Sequence, residues 1–395
     1  MTKLITAFLV SLFLLLSACS TSDSSNEIDT PVSQDAVLET FGGRIDLANL
    51  PNYANQEIPD YIDDDNTTTN VVTDEGAILG RVLFYDKNLS VDNTIACASC
   101  HQQSFAFSDG DAASTGVNGT TGRHSMRLVN ARFADEDNFF WDERASTLEA
   151  QTTMPIQDHI EMGFSGEDGN EDILGLCDKL EAIDYYNELF TFVYGDAEVT
   201  EERMQLALAQ FIRSIQSFDS PYDVGLSQSG NVNADFANFS DLENEGKELF
   251  MDRPQFNNNG VRIAGGLGCD GCHRAPEFDI DPNSDNNGFV ESLAGDNEND
   301  TEVTRSPTLR DLLNATGVAN GPFMHTGFST DFEDVLDHYD NIPANVDGID
   351  RRLEPGGNPQ DLAMTTDEKE AVIAFIATLS GSDVYSNEKW SDPFE

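Results

Sequence analysis

The sequence predicts an all-α chain of two helical units in tandem, each carrying one Cys-x-x-Cys-His motif. Three observations carry that expectation: Ser/Thr-x-x-Glu capping patterns recur, apolar residues fall at helical spacing, and no run of regularly spaced alternating strands appears. In chain order, Ser146-x-x-Glu149 opens one helix. Thr200 precedes EERMQLALAQFIRSIQSF, where Met204, Leu208, Phe211, Ile212, Ile215 and Phe218 share a face. Ser240-x-x-Glu243, Thr330-x-x-Glu333 and Thr365-x-x-Glu368 open later helices, and Gly381 is expected to stop the last. Residues 225–240 (GLSQSGNVNADFANFS) have linker composition, and residues 279–303 read as an acidic, Gly/Asn-rich loop. The units are therefore drawn at residues 71–236 and 237–395.

Ahead of them, Lys3, an apolar run over residues 4–16 and Leu-Ser-Ala-Cys ending at Cys19 form an export signal that is similar to a bacterial lipobox. The expectation is a signal peptide over residues 1–18, an acylated Cys19 that anchors the chain to a membrane, and a flexible acidic tether and extension over residues 19–70. The cell envelope of a Gram-negative-type bacterium, facing the periplasm or the surface, follows as the location. The chain holds 72 acidic against 21 basic residues, a formal net charge of −51. Phosphate repels such a surface, so nucleic acid is excluded as a partner. A cationic soluble protein would be steered toward it, and adaptation to a salty habitat would produce the same charge.

Two copies of Cys-x-x-Cys-His, Cys97-Cys100-His101 and Cys269-Cys272-His273, point to covalent haem c. In such a motif the thiols add across the haem vinyls, and the next residue sets an imidazole under the iron. A four-cysteine zinc site needs its pairs much closer together, and a redox dithiol needs no histidine. His101 and His273 are the proximal ligands. Cys177, in DILGLCDKL, shares a helical face with Ile173, Leu176 and Leu180 and is expected to be buried as a small apolar residue.

Around these motifs the chain resembles the bacterial di-haem cytochrome c peroxidase family, which includes MauG-type enzymes. The blocks that carry the resemblance are LGRVLFYDKNLS (79–90), CASCHQQSFAFSDG (97–110), FFWDERASTLEAQTTMPI (139–156), IEMG (160–163), SPTLRD (306–311), PFMHTG (322–327) and TTDEKEAVIAFIATLSG (365–381). The resemblance implies two cytochrome c-like haem domains in tandem. It implies hydrogen peroxide reduction at the N-terminal haem and electron transfer through the C-terminal one. A small c-type cytochrome or cupredoxin would be the donor, and a homodimer is one expected assembly.

Members that need reductive activation cap the first haem with a histidine. Aligned through Ser125 and Asn130, that position falls near Gly116, which has no side chain. The first haem is expected to be open, with His124 as the alternative cap. For the second haem the family places Met or Tyr where this chain has Tyr339. Phe332, Val335, Leu336 and Tyr339 also share one helical face, which turns His338 away toward solvent. Met324 and His325 remain alternative ligands, and a core tyrosine with no iron bond is the bland reading of Tyr339. The resemblance further implies Glu161 as acid/base, Gln151 as its hydrogen-bonding neighbour and Trp141 between the haems. His159 reads as a loop residue without iron contact. Glu143 stands where the family has glycine, so the local turn is expected to differ. One calcium ion would lie between the domains, on the residue at His124 and the carbonyls of Asn320 and Pro322. Histidine is a poor calcium ligand, which weakens that expectation. Two non-peroxidase outcomes stay open: MauG-like oxidation of Trp or Tyr in a partner protein, and a di-haem electron carrier.

Overall fold

Helices form where a capping side chain meets an apolar face. The computed structural model describes residues 34–395 except 136–137, 281–283, 294–298, 315–316 and 345. The export signal and Cys19 lie outside the described residues. The helices are α1 (Asp35–Phe41), α2 (Asp74–Tyr85), α3 (Cys97–Cys100), α4 (Leu148–Gln157), α5 (Ile173–Glu181), α6 (Asp184–Tyr194), α7 (Glu201–Ser214), α8 (Pro221–Ser229), α9 (Asp241–Met251), α10 (Phe332–Asp340) and α11 (Thr366–Ala377). Strand structure is confined to short antiparallel pairs: β1 (Thr115–Gly116) with β2 (Gly119–Thr120), β3 (Pro254–Phe256) with β4 (Arg262–Gly265), and β5 (His273–Arg274) with β6 (Asp279–Ile280). Among the described residues no helix is long and apolar enough to cross a membrane.

The caps at Thr200, Ser240 and Thr365 sit where the sequence places them. Two others shift by one residue. Thr147, not Ser146, accepts from Ala150 N, and Asp331, not Thr330, accepts from Glu333 N. Adjacent residues there can both cap, and the turn geometry selects one. Glu149 is thereby free to pair with Arg213 and Asn70. Gly381 does not end α11, which stops at Ala377. It is glycine because a Cβ would overlap the Asp219 carboxylate, while its N–H donates to Asp311 Oδ1 at 3.0 Å.

Among the described residues two large hydrophobic cores result, with a small third cluster of Ile342, Ile349 and Leu353. The first is built from residues between Val37 and Ile215 and is completed by Val384 and Trp390 of the C-terminal tail. Tyr85 OH donates to Trp390 O at 2.6 Å and Arg81 Nε to Ser391 O at 2.7 Å, strapping the tail down. The second core runs from Tyr222 to Leu379. Residues 225–240 are therefore not a linker. Residues 225–229 belong to α8, where Leu226 is buried, and Phe236 and Phe239 are buried in the second core. Cys177 is buried in α5 beside Leu176 and Leu180, as expected of a small apolar residue.

The two cores repeat one plan. In the first, α2 crosses α7 so closely that a Cβ on Gly80 would overlap the Ala207 carbonyl and lie 2.8 Å from Phe211 Cβ. In the second, α9 crosses α11 the same way, with Gly246 against the Ala371 carbonyl and 2.9 Å from Phe375 Cβ. An aromatic triad fills each crossing. Phe84 lies 6.0 Å from Phe107 and 5.1 Å from Phe211; Phe250 lies 5.7 Å from Phe278 and 5.3 Å from Phe375. Phe107 and Phe278 both take left-handed backbone, at φ 60° and 55°. Their carbonyls accept from Leu128 N at 3.3 Å and Leu309 N at 2.9 Å. The sequence shows this repeat only loosely, since it is held by a few residues at crossings and turns.

Gly80→Ala and Gly246→Ala should each destabilise the haem-loaded protein by about 1–3 kcal/mol or more through overpacking at a backbone contact. Gly122→Ala should leave the melt unchanged, because a Cβ there meets nothing within 4 Å. Thermal melts followed by circular dichroism check this, and equal melting temperatures for all three variants would refute the helix-crossing argument.

Candidate haem sites and the junction between them

The first motif sits on the short helix α3. His101 Nδ1 lies 3.1 Å from the Phe107 carbonyl, so donation there leaves Nε2 for a metal. Ser125 Oγ is 3.1 Å from the same Nδ1. The second motif closes against β5, and the Nδ1 of His273 is buried without a hydrogen-bond partner. Burial pushes the Cys97 and Cys269 thiols up to about 12 and Cys100 to about 11. Redox dithiols and zinc ligands need the opposite shift.

A cavity of about 540 Å³ opens on the second motif, a size typical of cofactor sites. Cys269, Cys272, His273, Met324, Val335 and Tyr339 line it. Arg127, Arg253, Arg274, Arg305 and Arg352 line it too, a concentration of cation in a chain of net charge −51. The Nε of Arg127 is buried without a partner. A buried imidazole beside two cysteines, with a guanidinium donor lacking a partner nearby, fits an iron porphyrin with carboxylate edges.

Tyr339 faces this cavity from α10, and burial pushes its phenol above the ordinary range. Asn287 sets its place. The Asn287 amide donates to Tyr339 OH at 2.9 Å and lies 3.7 Å from Met324 Sδ. The Asn287 carbonyl lies 3.0 Å from His338 Nε2, and His338 packs on Phe289 at 5.4 Å. His338 is thus held by the 286–289 loop, not turned to solvent as its helical position suggests. His325 is committed as well, its Nε2 lying 2.8 Å from the Glu291 carbonyl.

The repeat also shows what faces the first haem. The Phe139–Ala145 and Phe323–Ser329 hairpins match, each closed by a 2.8 Å bond from the first N–H to the last carbonyl. Both have left-handed second and fifth residues: Phe140 at 73° with Glu143 at 54°, and Met324 at 63° with Gly327 at 58°. Glu143 therefore keeps the glycine-type turn instead of changing it, and Thr304 Oγ1 donates to its carboxylate at 2.8 Å. Helix α4 follows the first hairpin as α10 follows the second. In that register Gln151 corresponds to Val335, a cavity residue, and Pro155 corresponds to Tyr339. Where the second site has a phenol, the first has a proline that cannot bind iron.

Glu161 and Gly116 meet on the same side. Gly116 in β1 packs so tightly on the Glu161 loop that a Cβ would overlap the Ile160 carbonyl and come within 2.8 Å of Glu161 Cα. Val117 N donates to Glu161 O at 2.9 Å and Asn118 N to Ile160 O at 3.1 Å. The glycine at the capping position thus docks a hairpin that holds the glutamate. Burial, then Asp158, pushes Glu161 up to about 7, with Arg144 opposing. Its charge in turn raises the Cys97 and Cys100 thiols, which places it on the first motif. Among the described residues no hydrogen bond joins the Gln151 side chain to Glu161. His159 is turned to Ser165 Oγ, at 3.2 Å.

Trp141 lies at the junction. Its Nε1 donates to His124 O at 2.8 Å, its carbonyl accepts from Thr304 and Arg305, and its ring meets His325 edge-on at 6.2 Å. In the hairpin register Trp141 and His325 are equivalent, so the two repeats touch through matching positions. The calcium positions do not fit a metal. Both ring nitrogens of His124 are engaged, Nδ1 at 3.0 Å from Asp111 O and Nε2 at 3.2 Å from Ser108 Oγ. The Asn320 carbonyl carries the Arg127 guanidinium at 2.5 Å. His124 is therefore a hydrogen-bonding residue, neither a cap nor a calcium ligand. Among the sequence-derived candidates, Cys97, Cys100, His101 and Glu161 come together at one site, and Cys269, Cys272, His273 and Tyr339 at the other. Asn287, Pro155 and Arg127 went unnoticed, and only an alignment of the two halves would have pointed to Pro155.

Comparison with known proteins bears on these sites. Residues 74–231 match a family model described as di-haem cytochrome c peroxidase. The methylamine utilization protein MauG of Methylophilus methylotrophus is 28% identical over 341 residues, covering 85% of this chain and 90% of that protein. Cytochrome c551 peroxidase of Nitrosomonas europaea is 27% identical over 317 residues, 77% of this chain and 80% of that one. A solved MauG-like protein associated with microbial copper homeostasis superposes with a TM-score of 0.64 at 25% identity, covering 86% of this chain and 99% of that one. The diheme peroxidase BthA of Burkholderia thailandensis shares the fold, with a TM-score of 0.58 at 19% identity over 81% of this chain and 87% of that one.

If Glu161 acts as a base, peroxide turnover should rise with pH through about 7, because the carboxyl is protonated below that value. The pH profile of kcat/KM checks this, and a flat profile between pH 5.5 and 8.5 would remove Glu161 from that role.

Proposed function

This chain belongs to the di-haem cytochrome c peroxidase and MauG family, and from that premise we propose how its two unlike sites divide the work. It is a peroxidase-type oxidoreductase with two haem c groups, reducing hydrogen peroxide with electrons from a redox protein. The observation that carries the division is the mismatch at one repeat position: Pro155 in α4 of the first repeat, Tyr339 in α10 beside the second motif.

The haem held by Cys97, Cys100 and His101 supplies the redox centre at which the O–O bond of peroxide breaks. Glu161 takes the proton from the bound oxygen and returns it to the leaving oxygen, and its buried carboxyl is tuned to do both near neutral pH. Two electrons and two protons convert one peroxide to two waters. Gln151, on the α4 face that leads to this site, orients the peroxide by hydrogen bonding. Trp141 couples the two sites electronically through the junction. Cys269, Cys272 and His273 would hold the second haem, and Tyr339, positioned by Asn287, would offer it a phenol oxygen. Each haem lies in its own cytochrome c-like domain. Neither calcium position takes part.

The donor is a small cationic c-type cytochrome or cupredoxin, drawn to a chain of net charge −51. Cys19 carries the lipid that anchors the enzyme, and the catalytic part faces the periplasm or the cell surface. A second reading is oxidation of Trp or Tyr in a partner protein. Tyr339 favours it, because a hard anionic oxygen stabilises the oxidised iron that such chemistry must store.

Three measurements test the proposal. The fully ferric enzyme should show a high-spin component in electron paramagnetic resonance and react with peroxide without prior reduction. Two purely low-spin signals and a strict need for reduction would defeat the open first site. Glu161→Gln should cut peroxide turnover about 10²-fold or more at full haem loading. Near-normal turnover would move the acid/base role elsewhere. Tyr339→Met should raise the second haem's reduction potential and shorten the life of the peroxide-oxidised state. If Tyr339→Met and Tyr339→Phe both keep the parent's potential and spectrum, Tyr339 is core packing.

A further inference from the structure

Arg127 lines the second cavity at the junction and takes no part in the proton chemistry assigned to Glu161. It lies in the strap His124-Ser-Met-Arg127-Leu128, which leaves the first core and runs beside the second motif. The repeat counterpart of this strap is Ser306-Pro-Thr308-Leu309, so the residue equivalent to Arg127 is the neutral Thr308. A buried guanidinium here is therefore not demanded by the shared plan of the two halves.

Burial works against its charge, which one firm carbonyl acceptor and two more distant neighbours offset in part. Arg127 Nη2 donates to the Asn320 carbonyl at 2.5 Å. Asn320 is itself fixed, its amide donating to Asp311 O and Tyr385 OH at 3.1 Å each. Among the described residues no carboxylate lies within ion-pair distance of Arg127. Asp311 and Tyr385 are its electrostatic neighbours, and Asp311 Oδ2 is buried without a hydrogen-bond partner. Burial and the Arg127 charge together hold His124 neutral, at about 4. One guanidinium thus acts on His124 and on the Asn320 carbonyl at once.

A metal ion on the Asn320 oxygen would lie within about 5 Å of the guanidinium nitrogen, given a Ca–O bond of about 2.4 Å. Two cations sharing one acceptor at that spacing in a poorly solvated site repel strongly. We propose that Arg127 is the resident cation of the inter-repeat junction, standing in place of a calcium ion, and that this chain needs no divalent metal there. The guanidinium ties the first repeat's strap to the second repeat's 320–325 loop, a link that is present as soon as the chain folds and that chelators cannot remove. The inference concerns the junction alone and survives a wrong assignment of Glu161 or Tyr339.

The test uses the haem-loaded enzyme. Elemental analysis of protein purified in calcium-containing buffer and dialysed without chelator should find two irons and less than about 0.1 calcium per chain. EGTA should move neither the melting temperature nor the paramagnetic resonance spectrum of the haems. Arg127→Met, which keeps the length and removes the charge, should lower the melting temperature and broaden the haem signals. The pair Arg127→Thr with His124→Asn restores an oxygen ligand and removes the cation, and it should gain one EGTA-removable calcium. One calcium per chain in the parent, with EGTA shifting its melt or spectrum, would overturn the proposal. So would an Arg127→Met variant that matches the parent in both, or a folded double variant that gains no calcium.

Discussion

The strap from His124 to Asn130 is the constraint on which the rest of the junction depends. His124 N donates to His325 O at 2.6 Å, Arg127 donates to Asn320 O, and Asn130 N donates to Ile215 O at 3.0 Å. The same strap offers Ser125 Oγ to His101 and the His124 carbonyl to Trp141. A few backbone groups thus fix the first motif's imidazole, the indole between the sites and the loop that walls the second cavity. Electron transfer needs a fixed separation more than it needs any particular side chain, and hydrogen bonds between main chains supply it. Alongside, the Arg310–Asp223 ion pair at 3.0 Å is fully desolvated, with Tyr61 OH donating to Asp223 at 2.7 Å. Removing either partner would leave a buried charge, so either single substitution should be strongly destabilising.

Function in this molecule comes from breaking a repeat. The two halves share helix crossings, aromatic triads and hairpins with the same left-handed turns. Selection could therefore alter one side chain per half without disturbing the scaffold. At one repeat position the first half has Pro155 in α4 and the second has Tyr339 in α10. Gly116 against the Ile160 carbonyl does something more specific. A larger residue at position 116 would have to displace the loop that carries Glu161.

The electrostatics follow the same logic at two scales. Over the surface, the excess of carboxylates sets a strongly negative field. Inside, Arg127, Arg253, Arg274, Arg305 and Arg352 gather at the second cavity. Glu161 is poised by burial with one acid and one base nearby, a balance that keeps both protonation states accessible near neutral pH.

Much of this was legible in the sequence alone. Cys97-Cys100-His101 and Cys269-Cys272-His273 specify their chemistry by covalent spacing, which no tertiary contact can alter. The caps at Thr200, Ser240 and Thr365 are local, and so they were readable. The face of α10 that bears Tyr339 was set by helical periodicity. What only the tertiary structure decided rests on contacts between distant segments. Residues 225–240 read as linker because their polar composition hides Leu226, Phe236 and Phe239, whose burial depends on a core assembled from elsewhere. Ser146 and Thr330 lost their capping roles to neighbours with equal propensity. Asn287 and Arg127 carry no motif; their partners, at Tyr339 and Asn320, are remote in sequence, and a hydrogen bond of that range has no local signature. The sequence of one chain determined the two Cys-x-x-Cys-His motifs, because their spacing is covalent. Packing determined which side chains gather around them, because those contacts join segments remote in sequence.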